Sequence, residues 1–346
     1  MKFIDISGFG HSGKSIITDL LREFNGYQVP HYNFEFNLLR IQGGLLDLKY
    51  ALNDNWSPIR SDAAIRRFRK LINRIGPSAK FSNPASLFLS NGMNYDMHFK
   101  GQFSDISNDY VNSLVNYEYQ GEWPYPMIEE PSWKQFYQRL FNRMHLVKHF
   151  NSHITVAAPS NFIKLTREYL DRLFNSIKEE QNKNFVMHNA VEPYSPVSAL
   201  DLFSNARVII VQRDPRDIYA SNFVKEGVYN PTFENSTNWR MKQSFLITDN
   251  IERFIERQKI YFDMVRQKED DNRVLRLQYE DVIFNYDQNI NKILNFLEEP
   301  ASIHQNKNLY FKPEVSKKNI GLWKLMPDQK NIEKIYENLS PYCFNS

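Results

Sequence analysis

The chain has 346 residues, 42% of them hydrophobic and 24% charged, ordinary usage for a protein that buries one large core or two smaller ones. Its 43 Lys and Arg against 40 Asp and Glu leave a net charge of +3, which excludes nucleic-acid binding through overall charge and makes any anion site a local one. The single cysteine, Cys343, rules out an intramolecular disulfide framework and a multi-thiolate zinc site.

Asp5 interrupts the only apolar run near the N-terminus and no stretch of 18 uninterrupted apolar residues follows, so the expectation is a cytoplasmic protein without a membrane span. Lys2 to Ile6 reads as a short buried strand. Ser7 to Ser15 is a Gly-rich turn, and Ile16, Ile17, Leu20 and Leu21 continue at helical spacing. Tyr27 to Pro30, Ile154 to Ala157 and Asn184 to His188 are weaker strand candidates. From about Leu38 to Phe150 the pattern is helical in places, broken by Gly and Pro and rich in Trp, Tyr and Phe. It reads as a largely helical insertion at about 43–150 in one domain spanning 1–346. Arg207 to Val211 is a β-branched strand that gives way to a helix after Pro215. Arg273 to Gln278 is a third strand, followed by Ile290, Ile293, Leu294 and Leu297 at helical spacing. Strands separated by helices imply an α/β fold with a mainly parallel central sheet flanked by helices.

Gly8-Phe9-Gly10-His11-Ser12-Gly13-Lys14-Ser15 fits the phosphate-loop pattern G-x-x-x-x-G-K-S between a strand and a helix. The glycines let backbone approach phosphate closely, successive N–H groups and the helix start favour anionic oxygens, and Lys14 adds a point charge. A Gly-rich turn with no ligand is the bland alternative. In VIIVQRDPRDIYAS, Asp214 can cap a helix whose first position is Pro215, and Asp217 stands at capping-box-like spacing. Arg213 sits at the sheet edge where open α/β folds bind ligands, with Ser221 two helical turns further on, so both can reach one anion. A structural ion pair for Arg213 is equally compatible with the local pattern.

SNARVIIVQRDPRDIYAS resembles the 3′-phosphate-binding strand and helix of the nucleotide-sulfate-dependent sulfotransferases, in which a Ser follows the first Arg of R-D-P-R-D by eight residues, as Ser221 follows Arg213. GFGHSGKSIITDLL is similar to that family's 5′-phosphosulfate loop, RVLRLQYEDVIFNYDQNINKILNFL to its strand-Tyr-Glu-Asp-helix segment, and VSKKNIGLWK to its late loop over the nucleotide. The resemblance covers most of the chain outside about 43–150. It implies a P-loop NTPase-like sulfotransferase fold that moves a sulfuryl group from 3′-phosphoadenosine 5′-phosphosulfate to a hydroxyl or amine, with no metal.

The resemblance assigns nucleotide contacts to Gly10, His11, Ser12, Gly13, Lys14, Ser15, Arg213, Ser221, Lys317, Lys318 and Asn319, with Gly321 and Trp323 in the same late loop. Two departures bear on catalysis. His11 stands where Lys or Arg is usual, with Lys14 where Thr is usual, and His188 stands where the leaving-group Lys is often found. His11, Lys14 and His188 are therefore the candidate donors around the leaving oxygen. Glu35, after the second strand, occupies the region of the catalytic Glu in the carbohydrate- and tyrosine-modifying branches. This nominates Glu35 as base, His31 as its substitute and a carbohydrate as acceptor. A solvated Glu at a helix start is the plainer reading of Glu35. Tyr279, Glu280 and Asp281 read as structural. Two rivals stay open: a P-loop kinase or nucleotide hydrolase, which the Gln212-Arg213 strand end disfavours because magnesium wants an Asp there, and a non-catalytic nucleotide- or glycan-binding protein.

Overall fold

The computed structural model describes residues 1–30, 34–77, 93–144, 151–179, 183–224, 250–266 and 271–344. Among these, the strands are β1 (Lys2–Gly8), β2 (Tyr27–Gln28), β3 (Tyr117–Glu122), β4 (Asn151–Val156), β5 (Asn184–His188), β6 (Ala206–Gln212) and β7 (Val274–Gln278). Five of them form one sheet in the order β2-β5-β1-β6-β7, with every neighbouring pair parallel. The β1 side chains are buried on both faces, Phe3 on one and Ile4 and Ile6 on the other, as a strand covered by helices on both sides requires.

The topology places a site. After β1 the chain leaves for β2 on one side of the sheet, while β6 and β7 are added on the other. This is the switch point beside which open α/β sheets bind ligands. The register brings the strand ends together there: Ile6 pairs with His188, Gly8 with Val211 and Gln212 with Gln278.

Contacts divide the chain into two compact units, one of residues 1–37, 179–200 and 205–346 and the other of residues 38–178 and 201–204. In the first unit, Ile17, Leu20 and Leu21 of the helix Ser15–Arg22 and Ile293, Leu294 and Leu297 of the helix Tyr286–Leu297 pack with Ile4 and Ile6 of β1. Each such side chain contributes about 1.5–3 kcal/mol on burial. A second cluster joins Ile251–Arg266 to Gln329–Leu339 through Phe254, Phe262, Ile335 and Leu339. It also takes in Phe9, edge-on to Phe262 at 5.0 Å, so the turn after β1 is anchored in a core.

In the second unit the helices Pro58–Ile75, Phe103–Leu114 and Phe162–Asn175 bury Phe68, Tyr110 and Tyr169. The Tyr110 and Tyr169 rings stack at 4.3 Å, and their buried hydroxyls are satisfied by Thr166 at 2.7 Å and Ser107 at 2.8 Å. Pro58–Ile75 begins with Ser57 capping the Arg60 N–H at 3.2 Å and Pro58 at the first helical position. The strand expected at Ile154 to Ala157 is present as β4, yet it lies outside the parallel sheet: it pairs antiparallel with β3. That partner was unreadable because nearly all of YEYQGE is exposed, leaving no apolar alternation to see. No helix among the described residues is long and apolar enough to cross a membrane.

Candidate functional site

The exits of β1 and β5 are tied together first. The buried Asp5 carboxylate accepts the Ala190 N–H at 2.9 Å and the Val191 N–H at 3.0 Å, and Ser7 Oγ donates to the Val191 carbonyl at 2.7 Å. These bonds fix the turn directly after His188 against the strand that leads into the Gly-rich loop. Within that loop His11 holds a left-handed backbone, φ 62°, and is buried. For a residue other than glycine this conformation stores strain, a feature that concentrates at functional sites. Gly13 has φ +78°, and a Cβ added there would sit 2.4 Å from the Tyr279 ring. Only glycine satisfies both demands. Lys14 then opens the helix Ser15–Arg22, with Ser15 exposed and Ser12 buried; Ser12 Oγ has no hydrogen-bond partner among the described residues.

Across the sheet edge, Arg213 at the end of β6 is 2% exposed. It donates to the His11 carbonyl at 3.0 Å, to Ser221 Oγ at 2.9 Å and to the Asn319 carbonyl. The loop after β1, the β6 strand end, the helix Pro215–Val224 and the late loop thus meet on one guanidinium, which also lies 4.9 Å over the Tyr279 ring. All of these partners are neutral, and Arg213 Nε has none among the described residues. A buried cation hydrogen-bonded only to neutral oxygens recovers its desolvation cost incompletely, even with the Asp217 carboxylate near enough to feel its charge, and a bound anion would offset the remainder. The structural ion pair considered for Arg213 is absent among the described residues.

The rest of R-D-P-R-D is structural in a way that its spacing did not specify. Asp214 Oδ1 accepts the Arg216 N–H at 2.8 Å, the expected cap. Asp217 does not complete a capping box. Its carboxylate instead accepts the Gly321 and Trp323 N–H groups at 2.8 and 3.2 Å, and the Asp214 N–H goes to Glu280 at 3.0 Å. Asp217 therefore clamps the late loop that carries Asn319; burial raises its carboxyl above the usual range, against the pull of the Arg213 charge. Arg216 is paired with Asp214 at 2.6 Å and lies 4.3 Å over Trp323. Lys317 and Lys318 are both exposed; Lys317 stands 5.9 Å from the Phe284 ring and helps line a cavity of about 500 Å³ with Arg216 and Trp323.

A second cluster forms beside β5. Glu35 Oε1 lies 3.8 Å from His188 Nδ1, so two candidates distant in sequence are neighbours in space. The same oxygen accepts the Asn189 side-chain N–H at 2.6 Å, and Asn189 holds φ 53°. Asn tolerates that left-handed backbone better than most residues. His31 lies outside the described residues. Two contributors, Asp5 and Asn189, went unrecognised in the sequence, and Tyr279 was read as structural without its place beneath Arg213. Tyr279 had a legible signal, because it follows β7 as Arg213 follows β6, one residue past the paired Gln212 and Gln278. Glu280, read as structural, does tie β7 to the next helix, and burial pushes its carboxyl up to about 7.

A five-stranded parallel sheet flanked by helices, with its loops gathered at the carboxyl edge of a switch point, places the chain in the open α/β class. Within it, a family model described as the sulfotransferase domain matches residues 134–340, more than half of the chain. The chain belongs to that family and is a sulfotransferase; its reaction is sulfuryl transfer.

Three solved structures illustrate the likeness. The sulfotransferase domain of the Synechococcus PCC 7002 olefin synthase is 13% identical, with 100% of this chain and 95% of that chain covered and a TM-score of 0.38. Sulfotransferase STF9 from Mycobacterium avium is 12% identical, with 99% and 75% covered and a TM-score of 0.36. Retinol dehydratase, in complex with androsterone and the inactive cofactor PAP, is 13% identical, with 99% and 80% covered and a TM-score of 0.37. No curated protein sequence matches the chain.

Proposed function

We propose that the donor is 3′-phosphoadenosine 5′-phosphosulfate and that the acceptor is a hydroxyl, most simply that of a carbohydrate. The observation that carries the donor is Arg213, buried, bonded only to neutral oxygens and joined to Ser221. These two side chains hold the 3′-phosphate, with the Asn319 segment and Lys317 and Lys318 over it. The turn from Gly10 to Ser15, with the otherwise unbonded Ser12 Oγ, holds the phosphosulfate. What supports the fit is that a buried cation after β6 and a glycine-rich strand-to-helix turn after β1 lie at the ends of two paired neighbouring strands.

When bound, the donor supplies an activated sulfuryl group whose sulfur–oxygen bond to the nucleotide breaks as the acceptor oxygen attacks. Glu35 takes the acceptor's proton. Asn189, held by the turn that Asp5 and Ser7 fix, keeps Glu35 Oε1 in place. His188 and Lys14 donate to the oxygens on the leaving side, where negative charge grows. A carbohydrate acceptor follows from the Glu35 pattern. We further propose that 1–346 is one catalytic domain elaborated by the aromatic-rich insertion.

The test is transfer of labelled sulfate from the donor to a panel of sugars and phenols, with Glu35→Gln as control. Wild type should label a sugar, and Glu35→Gln should lose about 10²–10⁴-fold in kcat with donor affinity unchanged. Labelling of phenols alone would refute the carbohydrate assignment, and full activity in Glu35→Gln would refute the base.

A further inference from the structure

The helix Ser132–Arg143 is built inside out. Trp133, Phe136, Tyr137, Leu140 and Phe141, with Met144 just past its end, are between 39% and 64% exposed. At about 100° per residue their i, i+3, i+4, i+7, i+8 and i+11 spacing places all six on one side. The rings rest on one another, Phe136 on Tyr137 at 5.9 Å and Tyr137 on Phe141 at 6.4 Å. The half-buried described residues of this helix are polar, Lys134 and Gln135. Pro58–Ile75 buries its own apolar side, with Ile65, Phe68 and Ile72 at 1% exposure or less.

The charges follow the same division. The helix contains no Asp or Glu. Lys134 borders one margin of the apolar side and Arg139 and Arg143 border the other, while Gln135 lies on the polar side. Lys134 is engaged by Glu130 at 2.8 Å, leaving the exposed Arg139 and Arg143 as the outward cations. An aqueous protein surface gains nothing from six uncovered apolar side chains on one stripe. A lipid interface does: the apolar side enters the acyl boundary while long basic side chains at its margins reach the headgroups.

We propose that Ser132–Arg143 lies in the interface of an anionic phospholipid bilayer and holds the enzyme on the membrane surface without crossing it. The partner is anionic because the margins are cationic and the helix carries no acid. The inference is independent of the acceptor and base assignments.

The test is co-sedimentation of the full chain with vesicles of phosphatidylcholine alone and of phosphatidylcholine with phosphatidylglycerol, with a Trp133→Phe variant to assign any indole blue shift. The expected result is binding to the anionic vesicles, weakened by salt, with a blue shift that Trp133→Phe removes. Leu140→Asp should lower binding roughly tenfold or more, and Arg139→Gln and Arg143→Gln roughly fivefold each. These residues are exposed, so each variant should keep the wild-type melting temperature and its affinity for 3′-phosphoadenosine 5′-phosphate. No binding to either vesicle, or binding that Leu140→Asp leaves intact, overturns the proposal. So does light scattering that shows a dimer dispersed by Leu140→Asp, which would make this side an interface between copies of the chain.

Discussion

The two ends of the sheet's carboxyl edge solve different problems. At the β6 end, the Arg213 guanidinium is buried and three neutral oxygens hold it. At the β5 end, Glu35 and His188 are both titratable, and their side chains are 36% and 19% exposed. A permanent cation set in advance suits binding, because its geometry is already organised when an anion arrives. A partly solvated acid–base pair suits proton transfer, because its members must change charge and meet an acceptor. Ser7 and Gly8 of one strand connect the two: Ser7 fixes the turn after His188, and Gly8 pairs with Val211 below Arg213.

Substitutions that touch one end and spare the other sharpen the contrast. The largest expected effect is that of Gly13→Ala, which forces a Cβ to 2.4 Å from the Tyr279 ring at φ +78°. It should cost about 3 kcal/mol in urea unfolding and weaken nucleotide binding with it, since Tyr279 supports Arg213. Next is Glu280. Its carboxyl is raised from 4.5 to about 7 by burial, so folding favours the neutral form. Its contribution is fully present below pH 4.5 and is lost as pH rises toward 7. Melting curves should show Glu280→Gln holding stability across that window while wild type loses about 3 kcal/mol relative to it. The smallest effect belongs to the catalytic end. Asn189→Gly keeps the left-handed backbone and removes the donor to Glu35, so kcat should fall about tenfold with nucleotide affinity unchanged.

Much of the first unit was legible. β5 and β6 carry nearly continuous apolar runs, the signature of strands buried on both faces, whereas β7 alternates as the edge strand, and the Arg213–Ser221 spacing is two helical turns, so their meeting follows from helix geometry. Glu35 beside His188 was not legible as a contact, because 153 residues separate them and only the strand order brings them together. Asp217 illustrates the limit of local pattern: at capping-box spacing, it spends its carboxylate on a loop more than a hundred residues away. The β3–β4 pairing escaped because β3, nearly all exposed, has no hydrophobic period.

The central claim is that Arg213 is a preformed anion site for a 3′-phosphorylated nucleotide. Calorimetric titration of wild type and Arg213→Ala with 3′-phosphoadenosine 5′-phosphate, against ATP with magnesium, tests it most directly. The account predicts that wild type prefers the bisphosphate and that Arg213→Ala lowers its affinity about 100-fold, the loss expected for a charge-assisted contact in a buried site. Equal binding by the variant, or preference of the wild type for ATP with magnesium, would contradict it.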